Sequence, residues 1–253
     1  MDIVIIGTGN VATILGRKLK AAGHRIVQVF GRNASAASQL AYMLGTESTN
    51  YWSMISKNAD IYLIAVSDYS IKEIAEHLQL PGKLVVHTAA AIPKEVLKKI
   101  TKHYGVFYPM QSLRKEMKEL PEIPIHIDAS DENTLRVLER LAGSISEKVT
   151  YANDEERLKM HVAAVICNNF TNYLYAMAED YCKKENLDFK LLLPLIRETA
   201  EKVQHISPSL SQTGPAERND ETTIKKHLTI LKPHPELQKL YEFMTESILK
   251  SNL

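Results

Sequence analysis

Met1-Asp-Ile-Val-Ile-Ile-Gly-Thr-Gly-Asn-Val-Ala12 opens the chain, and its reading decides the fold. Ile3 to Ile6 is an unbroken β-branched run, as suits a strand buried on both faces of a parallel sheet. Gly7, Gly9 and Ala12 follow at the G-x-G-x-x-G/A spacing of a dinucleotide-binding turn. Gly7 permits the tight turn out of the strand, Gly9 lets the backbone approach a pyrophosphate, and Ala12 lets a helix pack closely on the sheet. That helix is predicted to end near Ala22. Its free N–H groups, around Asn10 and Val11, and its positive dipole end would face the phosphates. The competing reading is a glycine turn in another α/β fold that binds no nucleotide.

Outward from this turn, Val11, Ile14, Leu15 and Leu19 share one helical face, and Gly23 stops the helix. A second apolar strand, Arg25 to Phe30, completes a βαβ unit. An NAD-preferring domain usually places Asp or Glu at the end of that strand to hold the ribose hydroxyls. Here the chain reads Gly31-Arg32-Asn33-Ala34-Ser35, and no acidic residue occurs between Asp2 and Glu47. Arg32 would pair with a 2′-phosphate, with Asn33 and Ser35 adding hydrogen bonds, which points to NADP. A solvated surface arginine is the alternative.

Bulk properties narrow the class. Across 253 residues the net charge is +1, with 24% charged residues, so no basic field suggests nucleic acid. No apolar run approaches the ~18 residues needed to span a bilayer, and without a basic n-region before the first strand no secretion signal is expected. Cys167 and Cys182 fall in one predicted helix, ~22 Å apart along its axis, too far for a disulfide. A reduced, cytoplasmic chain without a metal-binding cysteine pattern is expected.

Further strands are predicted at Asp60–Val66, Lys83–His87, Tyr104–Tyr108, Pro124–Asp128 and Ile145–Tyr151, alternating with helices that include a charged stretch after Ser112. Ser67 and Asp68 close the first of these strands and open a helix. Asp68 serves as N-cap, and the turn lies over the cofactor. His87 stands at the carboxyl end of its strand, as either a cleft residue or a structural histidine bonded to a loop carbonyl. Strand signals stop at Tyr151. Asp154 to Lys183 then reads as one helix of about thirty residues, with Leu158, Val162, Val165, Ile166, Asn169, Tyr173, Ala176 and Met177 on its inner face. The expected fold is α/β: a doubly wound Rossmann domain (1–151) followed by a smaller all-α domain (152–253).

Two polar concentrations lie in the helical part. At 100° per residue, His161, Asn168 and Asn172 fall within about 40° of one another. Such a stripe needs partners, supplied by packing, by an interface or by a ligand. The other is the loop from His205 to Asp220, rich in hydroxyls and turn formers. In it Asp220 caps the next helix, and Arg218 either pairs with Asp220 or Glu217 or grips an anionic group of substrate or cofactor.

These pieces together carry a resemblance: Gly7-Thr-Gly-Asn-Val-Ala12, Gly31-Arg-Asn33, Ala65-Val-Ser-Asp68, His87-Thr88, His161-Val-Ala-Ala-Val165 with Asn168, and Thr213-Gly-Pro-Ala-Glu-Arg218-Asn-Asp220. The chain resembles Rossmann-like proteins with a small helical C-terminal domain of unknown function. They belong to the wider group of pyrroline-5-carboxylate reductase, ketopantoate reductase, the β-hydroxyacid dehydrogenases and the deazaflavin-dependent NADP reductases. The resemblance implies NADP binding, a cleft between domains and a homodimer built on the helical domain. One departure matters. The β-hydroxyacid dehydrogenases carry Lys-x-x-x-Asn on the matching helix, whereas here Lys159 is followed four positions on by Ala163. His161 would replace that lysine as proton donor, since imidazole titrates near neutrality. Asn168 would orient the substrate and Arg218 would hold its anionic end. The expected function is NADP(H)-dependent hydride transfer to or from a small carbonyl or imine; the alternative is a non-catalytic NADP-binding sensor or interaction protein.

Overall fold

The structure, a computed structural model, describes residues 1–251. Among them, eight strands form one sheet: β1 (Asp2–Ile6), β2 (Arg25–Phe30), β3 (Glu47–Thr49), β4 (Ile61–Ile64), β5 (Leu84–His87), β6 (His103–Pro109), β7 (Ile125–Ala129) and β8 (Val149–Tyr151). Their spatial order is β3-β2-β1-β4-β5-β6-β7-β8. Every neighbouring pair is parallel except β6 and β7. From β1 the chain winds outward to β2 and β3, then returns to β4 on the other side. The order therefore reverses between β1 and β4, where a doubly wound sheet opens its crevice.

Both faces of the sheet are covered, as a parallel sheet requires. Ile3 and Ile5 enter one core with Ile14, Leu15 and Leu19 of α1 (Asn10–Ala21) and with Leu40 and Leu44 of α2 (Ala34–Leu44). Val4 and Ile6 enter the other, with Ile71 and Ile74 of α3 (Asp68–His77). The apolar face of α4 (Glu132–Gly143) adds Leu138 and Leu141 to the first core.

Several local expectations are corrected. Glu47–Thr49, where no strand is predicted, pairs with β2 as an edge strand. The segment after Ser112 is not helical. Leu113 and Ile123 are drawn into the core, while Arg17 of α1 donates to the carbonyls of Met117 and Lys118 at 2.6 and 3.1 Å. The N–H of Lys115 donates to Asn10 Oδ1 at 3.1 Å. With its backbone partners supplied by α1, the segment has no need of a helix of its own. The N-cap of α3 is Ser67, with Asp68 already inside the first turn, where its charge favours the helix dipole.

The long helix is also not one α-helix. It comprises α5 (Asp154–Ala164), a π-helical segment (Val165–Phe170) and α6 (Thr171–Lys184). Asn153 caps α5 in a reciprocal box with Glu156. The chain divides into two compact units, Met1–Asn168 and Asn169 onward. Strands do end at Tyr151, but α5 belongs to the first unit for a physical reason. Arg157, fully buried, donates from Nε to the Ala90 carbonyl (3.0 Å) and from Nη2 to the Ile92 carbonyl (2.8 Å) and Asp154 (2.6 Å).

The second unit holds α6, α7 (Leu193–Lys202), α8 (Glu221–Leu231) and α9 (Pro235–Lys250). Its internal ties include His227 to the Tyr241 hydroxyl (2.8 Å) and His234 to Glu185 (2.7 Å). Among its described residues, the buried apolar ones are Cys182, Ala216 and Leu231. Tyr173, Leu195 and Phe243 are about two-thirds exposed, at 64%, 63% and 67%. The expected inner face of the long helix is likewise open, with Leu158, Val162 and Ile166 exposed. No helix among the described residues is long and apolar enough to cross a membrane.

Candidate functional site

A cavity of ≈ 450 Å³ lies at the carboxyl ends of β1, β2 and β4. Gly7, Gly9, Asn10, Val11, Arg32, Asn33 and Ser67 line it, and so do Trp52, Ser70 and Glu73. Two glycines show what the turn demands. Gly7 has φ +129°, and a Cβ there would stand 2.1 Å from the Ala65 carbonyl oxygen, so only glycine fits. A Cβ on Gly9 would meet no protein atom within 4 Å. The space beside Gly9 belongs to the cavity, as expected where a pyrophosphate approaches the backbone. Gly9 also stands as N-cap of α1 with no side-chain cap, leaving the helix N-terminus to an anion. A dinucleotide fits these residues. Ala12 is buried behind the turn in the core, its predicted packing role.

The ribose end is built by β2 and α3. Asn33 Oδ1 accepts from the Ala36 N–H at 2.9 Å and caps α2, so its amide NH₂ is what it can offer a ligand; Ser35 lies outside the lining. Arg32 is not free. Its Nη1 donates to Glu73 Oε2 at 3.0 Å and its Nη2 to Ser70 Oγ at 3.2 Å. Ser70 in turn bonds Ser67 at 3.0 Å. Trp52 packs on Phe30 with ring centroids 4.2 Å apart, giving the cavity an aromatic wall. Asp68 does not line this cavity and instead borders a separate depression with Lys72 and Glu76.

His87 is fully buried and also outside the lining. Its Nδ1 accepts from the Ala89 N–H at 3.2 Å, a backbone amide rather than the loop carbonyl expected. Among the described residues Nε2 has no hydrogen-bond partner within ordinary geometry, although the Pro93 backbone is near enough to favour the protonated ring. Burial first, then the Arg157 charge, push the imidazole down to about 4, with Pro93 and Asp154 opposing.

Around Arg157 a second polar group gathers. His161, one turn further along α5, has Nδ1 3.1 Å from the Tyr108 hydroxyl. Tyr108 stacks on His126 with centroids 6.1 Å apart, and His126 Nδ1 meets the Thr150 hydroxyl at 2.7 Å. Burial raises the Tyr108 phenol above its ordinary range, while Arg157 opposes that rise. Burial and then Arg157 lower His126. Nη1 of Arg157 has no partner among the described residues.

The predicted stripe is only partly assembled. Asn168 lies in the π-helical segment, exposed, and no hydrogen bond joins it to His161 among the described residues. A π segment winds by i→i+5 bonds, so the 100° spacing that aligned His161, Asn168 and Asn172 does not hold through 165–170. Arg218 belongs to the second unit and ion-pairs with neither Glu217 nor Asp220 among the described residues. Asp220 does cap α8, accepting from the Thr223 N–H at 3.0 Å. Lys159 pairs with Glu155 at 2.5 Å on the exposed face of α5. Among the described residues, no group of His, Cys, Asp or Glu is placed to hold a metal ion.

Sequence reasoning missed Tyr108, Arg157, Ser70, Glu73 and Trp52. Tyr108 had a signal, its place at the carboxyl end of a sheet strand. Arg157 had none, because Asp154-Glu-Glu-Arg157 reads as the solvated start of a helix.

Comparison with known proteins adds to this geometry. Residues 2–91 match the family described as NADP oxidoreductase, coenzyme F420-dependent, and residues 123–248 match a domain of unknown function, DUF2520. A protein of Bacteroides fragilis, to which NADP oxidoreductase activity is ascribed, is 41% identical over 99% of this chain and 98% of its own, with TM-score 0.91. A Thermotoga maritima protein is 24% identical over 96% and 99%, with TM-score 0.75. A pyrroline-5-carboxylate reductase of Streptococcus pyogenes shares the fold at 12% identity, covering 99% of each chain, with TM-score 0.68. No curated protein matches the chain.

Proposed function

Because the chain belongs to the family of NADP oxidoreductases in which a Rossmann domain is followed by the DUF2520 domain, we propose that it is an NADP(H)-dependent oxidoreductase acting on a small carbonyl or imine. The observation that carries the cofactor half is the cavity behind Gly9, with Arg32 at its ribose end and no acid on β2. The bound nicotinamide would supply or accept the hydride. The chain's own residues hold the pyrophosphate on the α1 N-terminus, the 2′-phosphate on Arg32, and a proton on His161.

The Tyr108–His161 contact supports that last role. With the Tyr108 hydroxyl donating to Nδ1, the proton of the neutral ring stands on Nε2, available to a substrate oxygen or nitrogen. The resemblance gives Asn168 the role of orienting that group; Arg218, which belongs to the second unit, is proposed separately as the ligand of an anionic group. A second reading is kept for one observation. Lys159 faces solvent in an ion pair with Glu155 and the position four residues on is Ala163, so the lysine donor of related dehydrogenases is missing. On that reading the chain is an NADP-binding sensor. The helical unit supports a homodimer in either case, since a second copy would cover Tyr173, Leu195 and Phe243, and we place the protein in the cytoplasm.

The experiment runs in two steps. Calorimetric titration should show NADPH binding more tightly than NADH, with Arg32→Ala shrinking the difference and Gly9→Val abolishing binding of both while the protein stays folded. Equal affinity for the two cofactors would sink the NADP assignment. A screen of small keto acids and cyclic imines, read as NADPH oxidation, then supplies a substrate. With it, His161→Ala should lower turnover by ~10²–10⁴ at unchanged NADPH affinity. A silent screen with a cofactor-loaded protein would favour the sensor.

A further inference from the structure

The ribose end of the nucleotide cavity contains an ion pair between Arg32 and Glu73. Ser67, the N-cap of α3, and Ser70 and Glu73 within it stand at three-residue intervals along one face, and all three line the cavity. Arg32 lies against that face, donating to Ser70 Oγ at 3.2 Å and Glu73 Oε2 at 3.0 Å. Ser70 is buried, while the Arg32 and Glu73 side chains remain 65% and 38% exposed. The guanidinium thus already holds an anion where a 2′-phosphate would have to bind. That anion is delivered from α3 instead of from the end of β2.

We propose that Glu73 is the selectivity residue of this cavity: it occupies on Arg32 the place of a 2′-phosphate, and so sets how strongly the chain prefers the phosphorylated cofactor. The proposal rests on the reading of Arg32 as the 2′-phosphate ligand. Two physical effects follow. A phosphate carrying about −1.5 to −2 charge must take Arg32 from Glu73 and then sit beside its displaced carboxylate. Like charges at about 5 Å in a water-like dielectric weaken such binding on the order of tenfold. A cofactor with a free 2′-hydroxyl meets no such repulsion. Its hydroxyl can donate to Glu73 while Arg32 stays where it is, as the strand-end acid does in an NAD site. One carboxylate therefore opposes one cofactor and supports the other, and the chain's preference is a difference of two affinities.

Glu73→Gln tests this in the full-length protein. The side chain keeps its size, and an exposed ion pair contributes little to folding, which a thermal melt checks. Calorimetry with NADPH, NADH, 2′,5′-ADP and 5′-ADP reads the adenosine end with and without the nicotinamide. The expected result is that Glu73→Gln tightens NADPH and 2′,5′-ADP about tenfold and leaves NADH and 5′-ADP unchanged or weaker. The NADPH-to-NADH affinity ratio then rises at least tenfold. If the wild type binds both cofactors and the variant's ratio stays the same or falls, Glu73 is not a competitor and the proposal is overturned while the cofactor reading stands. If the wild type binds neither NADPH nor NADH, the cofactor reading itself fails and this proposal with it.

Discussion

His87 illustrates how one buried atom set can couple folding to pH. Its imidazole is held neutral, with Nδ1 occupied by the Ala89 amide and its affinity for a proton lowered to about 4 by burial and then by Arg157. In the unfolded chain a histidine titrates near ~6.5. Below that pH the unfolded state takes up a proton that the folded state refuses, so the stability is complete above ~6.5 and is lost as pH falls toward 4. The slope is ~1.4 kcal/mol per pH unit, or about 3 kcal/mol over the window. Urea unfolding of the wild type and of His87→Gln at pH 7.5, 6 and 5 checks this. The variant should lose less stability across the series, and parallel losses would show that other groups dominate. Gly7 and Gly9 make the complementary point. Both are glycines in one motif, but the first is required by the protein's own Ala65 carbonyl and the second by space left for a ligand.

At the scale of elements, α5 is an arm of the sheet unit because Arg157 ties it to the loop after β5. The tie is a fork of donors to two carbonyls and a carboxylate, which a lysine point charge cannot reproduce. It also fixes His161 one turn along the same helix, near Tyr108 at the end of β6. Replacing Arg157 by methionine leaves the buried Ala90 carbonyl and the half-buried Ile92 carbonyl without this partner, at ~1–3 kcal/mol for a buried one. Stability should fall by about 3 kcal/mol, Arg157→Lys should recover little of it, and hydrogen exchange should accelerate over Ala89–Ile92 and α5. A loss under ~1 kcal/mol would mean that α5 is held by other contacts.

Across the whole molecule, the two units are covered very differently. The sheet unit buries both faces of β4, β5 and, from Ile3 on, β1. The helical unit leaves large apolar residues on α6, α7 and α9 in contact with solvent, more than single soluble chains usually tolerate. Light scattering at micromolar concentration should give twice 28.5 kDa, and glutamate in place of Tyr173 and Phe243 should shift it toward the single-chain mass. A wild type of single-chain mass would overturn the dimer.

The sequence by itself determined the alternation of strands and helices, the glycine turn after β1 and the strand-to-helix change at Tyr151, whereas the strand order came from the structure. Each is carried by local pattern: β-branched runs, glycine spacing, and apolar residues at period 3.6. Arg32 was legible for the same reason, since it sits at a fixed offset from Gly7. What only the tertiary structure decided involves partners distant in the chain. Glu73 meets Arg32 across 41 positions, Arg157 meets Ala90 across 67, and His161 meets Tyr108 across 53. The π-helical segment at Val165–Phe170 broke a stripe computed for an ideal helix. The loop after Ser112 took its hydrogen bonds from α1, more than ninety residues earlier. Local pattern encodes the elements because their hydrogen bonds and faces are periodic; the pairing of side chains between elements has no period, and only the folded chain brings it about.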